Sequence, residues 1–179
     1  MRCVLFLVLC ASVAAADDKP TKPERATFRI TGLFSKDREK DLKIAFEDLP
    51  EIRLEKVNFD DAEITVEFVP GKAFPGAKPE QFAEQFDNKL RQASSHTFGI
   101  KPRRTIAREK LQTVVVPVAG LDCKACCLAA YEAVAGIDGV YQATASFKDG
   151  KVTALIDPEK TDRAKLEEAL KKRNVAVGK

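Results

Sequence analysis

Val114-Val115-Val116-Pro117-Val118-Ala119-Gly120-Leu121-Asp122-Cys123-Lys124-Ala125-Cys126-Cys127 is the stretch on which the fold of this chain turns. Val114, Val116 and Val118 alternate like one face of a strand. Past Gly120 and Leu121 the spacing changes: Cys126, Ala130, Ala133 and Ile137 recur at helical intervals, and Gly136 suits a helix end. A strand that runs through a short loop into a helix puts Cys123 in the loop and Cys126 in the first helical turn. Unpaired backbone N–H groups of the helix start then point at both sulfurs. Two thiols so placed make a soft-metal site or a redox site.

Working outward, residues 140–147 and 151–156 read as two strands joined by Lys148-Asp149-Gly150, where Asp-Gly favours a tight hairpin. Thr161-Asp162 caps a further helix with Leu166, Ala169 and Leu170 on its inner face. Asn174 suits the left-handed turn that ends it, and 175–177 form a short last strand. The same order occurs earlier in the chain. Laid on itself so that Gly32 falls on Gly120, the chain matches without a gap over about forty positions. Leu33 meets Leu121, Phe59 meets Phe147, Thr65 meets Thr153 and Pro70 meets Pro158, while Ile52, Ile64 and Phe68 meet Val140, Val152 and Ile156. The first copy carries extra residues around 71–79. It reads as strands at 28–31, 52–59, 63–69 and 98–106, with helices at 37–49 and 79–94.

Two copies of a βαββαβ order predict an α+β chain of two tandem ferredoxin-like sandwiches with antiparallel sheets. Residues 26–108 form the first and 109–179 the second, with 17–25 a flexible segment ahead of them. Residues 1–16 read as a secretory signal peptide: Arg2, then an apolar run, then Ala14-Ala15-Ala16 before Asp17. The expectation is an exported protein, periplasmic or secreted, with no stable membrane span, since no later stretch is apolar for long enough. Charge is nearly balanced, 30 lysines and arginines (Arg2 among them) against 27 acidic residues. With no strong basic excess and no interleaved aromatics, nucleic acid is not an expected partner. After loss of the leader the remaining cysteines are Cys123, Cys126 and Cys127, a cluster that looks like a site and not like a disulfide framework.

Pro117-Val118-Ala119-Gly120-Leu121-Asp122-Cys123-Lys124-Ala125-Cys126 resembles the signature of heavy-metal-associated domains, often written PVxGMxCxxC. Such domains occur in copper chaperones, in N-terminal tails of metal-transporting P-type ATPases and in periplasmic mercury-binding proteins. The resemblance covers the second copy. It implies a βαββαβ unit, without enzymatic activity, whose two cysteines, here Cys123 and Cys126, hold copper(I), mercury(II) or zinc(II) near the surface. It implies also a protein partner that donates or accepts the ion, such as a metal transporter. Leu121 stands where the family has methionine, and Val175 where members often have an aromatic residue or lysine. The first copy has Ser35 and Arg38 at the thiol positions, so it is a degenerate unit that cannot offer a thiolate site.

Two thiolates suit a soft ion of low coordination number, which favours copper(I); zinc ordinarily wants four ligands. The helix start should lower the thiol pKa and stabilise a negative bis-thiolate complex. The competing reading is thiol–disulfide chemistry, although the order of elements is not that of thioredoxin. A passive Cys123–Cys126 disulfide, or a vestigial site in a docking module, is the third. Cys127 is a candidate third ligand, but it lies about 100° round the helix from Cys126 and suits a small core residue equally. Asp122 fits a loop and capping role. His96, near a helix end, reads as a surface residue. Lys101, Arg103, Arg104, Arg108 and Lys110 form a basic run expected to keep an exposed edge strand soluble, with attraction of an acidic partner or of lipid headgroups the alternative.

Overall fold

A computed structural model describes residues 22–178. The signal peptide expected at 1–16 lies outside the described residues. The N-terminal unit runs β1 (Glu24–Thr31), α1 (Arg38–Glu47), β2 (Ile52–Asn58), β3 (Glu63–Phe68), a short α2 (Pro70–Ala73), α3 (Phe82–Ala93) and β4 (Gly99–Lys101). The C-terminal unit runs β5 (Gln112–Ala119), α4 (Lys124–Ala135), β6 (Val140–Ser146), β7 (Lys151–Ile156), α5 (Arg163–Lys172) and β8 (Ala176–Val177). β1 begins at Glu24, inside the segment 17–25 expected to precede the fold.

The two sheets have one topology. Strand orders are β2-β3-β1-β4 and β6-β7-β5-β8, all pairs antiparallel, which is the α+β ferredoxin-like arrangement in duplicate. Register agrees as well: Thr27 lies opposite Thr65 as Val115 lies opposite Thr153, and Glu24 opposite Phe68 as Gln112 opposite Ile156. A one-residue slip would turn a buried face to water, so matching register reflects matching apolar patterns.

The cores are filled differently. In the N-terminal unit, Phe86 meets Phe28 and Phe46 edge-on at centroid distances of 5.3 and 5.9 Å, and Phe74 stacks on Phe82 at 5.0 Å. In the C-terminal unit Val116, Ala130, Val134, Ala143, Val152 and Ala154 occupy the inner faces, with Leu166 and Leu170 from α5. The extra residues around 71–79 are not wholly a surface loop: Pro75, Gly76, Lys78 and Pro79 are exposed, but Ala73 and Phe74 are buried. The segment forms α2 and delivers Phe74, 1% exposed, into the aromatic cluster.

The strand expected over 98–106 stops at Lys101. Pro102 cannot donate to a ladder, and the chain leaves the sheet edge there. Arg104 then donates from Nη2 to Asp61 Oδ1 at 2.9 Å, Arg108 Nε lies 3.1 Å from the same oxygen, and Arg103 Nε donates to Glu63 Oε1 at 3.4 Å. The basic run therefore straps the connection between the units to the β2–β3 turn, in place of coating an exposed edge. His96 sits in the turn after α3, exposed, with φ 63° and its N–H donating to the Arg91 carbonyl at 2.7 Å. It is not part of the cluster of donor atoms formed by Asp122, Cys123 and Cys126.

Candidate functional site

β5 ends at Ala119, and Gly120 turns the chain with φ +78°, a conformation that favours glycine. Leu121, 5% exposed, anchors the loop in the core, so the residues after it are held at the rim. Asp122 and Cys123 are exposed and Cys126 is half-buried. Cys123 is the N-cap of α4: its Sγ accepts the Cys126 N–H at 3.1 Å. The cap expected of Asp122 is thus made by Cys123.

In this structure the two sulfurs are bonded to one another as a Cys123–Cys126 disulfide, with Cα atoms 5.1 Å apart. As a disulfide the pair binds no ion. Uptake of two electrons and two protons cleaves the S–S bond and leaves two thiols at the same place. The sulfurs are not alone. Asp122 Oδ1 lies 3.3 Å from Cys126 Sγ, and donor atoms of Asp122, Cys123 and Cys126 all fall within 4.8 Å of one another. Spacing alone gave no signal for Asp122, because its carboxylate reaches the second sulfur only through the turn at Gly120.

Cys127 goes elsewhere. It is 3% exposed among the core residues of the C-terminal unit, and burial pushes its thiol pKa up. Asp122, and not Cys127, is the residue whose ligand atom lies beside the two sulfurs. Lys124, in the first turn of α4, lies 3.8 Å from Asp37 Oδ2 of the other unit. The Ser35 hydroxyl hydrogen bond, then Asp37's own backbone N–H, Lys124 and Arg38, hold the Asp37 carboxyl below its ordinary value against a smaller effect of burial. On its other flank the site opens onto a hollow of about 370 Å³ lined by Gly120, Leu121, Cys126, Ala129, Asn174 and Val175. A larger cleft of about 730 Å³ between α1 and β2 contains no cysteine or histidine and is unrelated to this chemistry.

No family model matches this chain, and no curated protein matches it. Solved structures do. The CopZ metallochaperone is 25% identical over 37% of this chain and 100% of its own, with TM-score 0.37. Oxidized MerP from Ralstonia metallidurans CH34 is 26% identical over 38% of this chain and 94% of its own, with TM-score 0.36. The N-terminal soluble domains of Bacillus subtilis CopA are 15% identical and cover 88% of this chain and 93% of their own, with TM-score 0.35. Scores of this size carry no assignment by themselves. The βαββαβ order of the C-terminal unit, however, is the one that the motif's resemblance implies, and the N-terminal sheet repeats its topology, a fold like that of heavy-metal-associated domains.

Proposed function

We propose that this chain is an exported, non-enzymatic carrier of a soft metal ion, which reduced Cys123 and Cys126 capture as thiolates and pass to another protein. Copper(I) is the favoured ion, with mercury(II) and zinc(II) the others. The observation that carries the reading is the placement of both sulfurs at the exposed N-terminus of α4, beside a loop that resembles a heavy-metal-associated signature. Two soft donors at low coordination suit copper(I), and the positive end of the helix dipole stabilises the negative complex. Transfer follows by ligand exchange: a thiolate of a donor or acceptor, such as a transporter, enters as one cysteine leaves. Among the described residues no helix is long and apolar enough to cross a membrane, so the carrier reading places any membrane passage of the ion in the partner.

The test is titration of the reduced protein with copper(I). Cys123→Ser and Cys126→Ser should each weaken binding at least about tenfold. Unchanged affinity in both variants would end the proposal. Asp122 discriminates between ions. Its oxygen adds nothing for copper(I) but gives zinc(II) a third ligand, leaving the fourth to a partner or water. Asp122→Ala should therefore weaken zinc(II) and spare copper(I).

The disulfide favours a second reading, an extracytoplasmic thiol–disulfide protein. That reading requires turnover of a disulfide substrate by the isolated protein. Metal binding without such turnover decides for the carrier.

A further inference from the structure

The N-terminal copy of the motif loop is not idle. Gly32-Leu33-Phe34-Ser35 corresponds to Gly120-Leu121-Asp122-Cys123, and its Gly32 keeps the left-handed turn, with φ +90°. A side chain at Gly32 would collide with the Thr97 carbonyl oxygen. Leu33, fully buried, anchors in its own core as Leu121 does in the other. At the next position the copies diverge. Asp122 faces water, whereas Phe34 is 5% exposed and belongs to the core cluster of the C-terminal unit.

Its surroundings are specific. The Phe34 ring lies 6.0 Å from the ring of Tyr131 on α4. The Tyr131 hydroxyl accepts the Gly32 N–H at 2.6 Å, and the Ala145 N–H of β6 donates to the Phe34 carbonyl at 3.0 Å. Gln142 donates from Nε2 to the Phe59 carbonyl at 2.8 Å, and the Arg29 guanidinium lies 5.3 Å from the centroid of the Tyr141 ring. β6 is an edge strand of its sheet, so the loop also covers an open edge. Even the residues at the lost thiol positions serve this arrangement. Ser35 donates to Asp37, which faces Lys124, and the Arg38 guanidinium sits 5.3 Å from the centroid of the Phe34 ring.

We infer that the N-terminal unit is an intramolecular brace for the helix that carries Cys123 and Cys126, and that its motif loop is the plug that docks it. The interaction surface on the C-terminal unit is made by Tyr131, Gln142 and Ala145 around the seat of Phe34. Its partner is the other half of the same chain. The C-terminal unit is therefore not a detachable domain, because an aromatic side chain in its core comes from the other unit. This inference does not rest on the carrier reading, since none of the contacts that make the brace involves Cys123 or Cys126.

Amide hydrogen exchange on the full chain, oxidised and without metal, tests it. Phe34→Ser leaves a hole in the C-terminal core and should accelerate exchange in α4 and β6 by about a hundredfold, with β1 and β3 much less affected. Phe34→Leu, which keeps most of the apolar volume, should retain most of that protection. Tyr131→Phe removes only the hydroxyl and should accelerate exchange of the Gly32 amide by about tenfold. Should Phe34→Ser fail to fold, the Leu and Tyr131 variants decide. Unchanged exchange in α4 and β6 in Phe34→Ser, or an unchanged Gly32 amide in Tyr131→Phe, overturns the brace.

Discussion

Cys126 and Cys127 are neighbours in sequence with opposite fates, and helix geometry explains it. About 100° of rotation separates them, enough to leave one at the rim and drive the other into the core. Cys127→Ala should thus cost stability, about 1 kcal/mol for a small buried group, and leave the ion stoichiometry of the reduced protein unchanged. Denaturant midpoints and copper(I) titration check the two halves of that expectation. The spacing of Cys123 and Cys126 on a strand–loop–helix path was legible in the sequence because every step of it is local. Asp122 was not, since its approach to Cys126 depends on the turn at Gly120 and the anchoring of Leu121.

Among the elements, the start of α5 was directly legible in the sequence. Asp162 caps α5 through its Oδ1, which accepts the Lys165 N–H at 2.9 Å, as Thr161-Asp162 before an apolar-periodic segment suggested. Asp162→Ala should lower stability by about 1 kcal/mol, measured by denaturant unfolding. A core substitution should do far more. Phe86, fully buried between Phe28 and Phe46, is the centre of the aromatic cluster, and Phe86→Ala should cost about 3–5 kcal/mol. The short fourth strand shows where pattern alone misleads. Residues 98–106 carry enough β-forming character to suggest a long strand, but Pro102 removes a donor and the arginines beyond it have carboxylates to reach.

Over the whole molecule, charge ties the segment that connects the units to the N-terminal unit, and burial of Phe34 joins that unit to the C-terminal one. Burial pushes the Asp61 carboxyl up, but the hydrogen bond and charge of Arg104, with Asn58 and Arg108, outweigh it and hold the group below its ordinary value. Because the folded pKa lies below the unfolded one, this contribution to stability is present above about pH 4 and is lost as pH falls through the folded value. Asp61→Asn should lower the unfolding midpoint at pH 7 and flatten its acid dependence, as urea melts at pH 7 and pH 3 will show. An equal loss at both pH values would contradict this account of the strap.

The order of elements, their duplication and the place of the two outer cysteines follow from the amino-acid sequence alone, because apolar period, turn residues and spacing act over a few residues. Tertiary structure alone decided which unit Phe34 belongs to, where the basic run spends its charge, and which third group stands beside the sulfurs. Each of those depends on residues distant in the chain, and no local pattern records which of several possible partners a side chain meets once the sheets have closed.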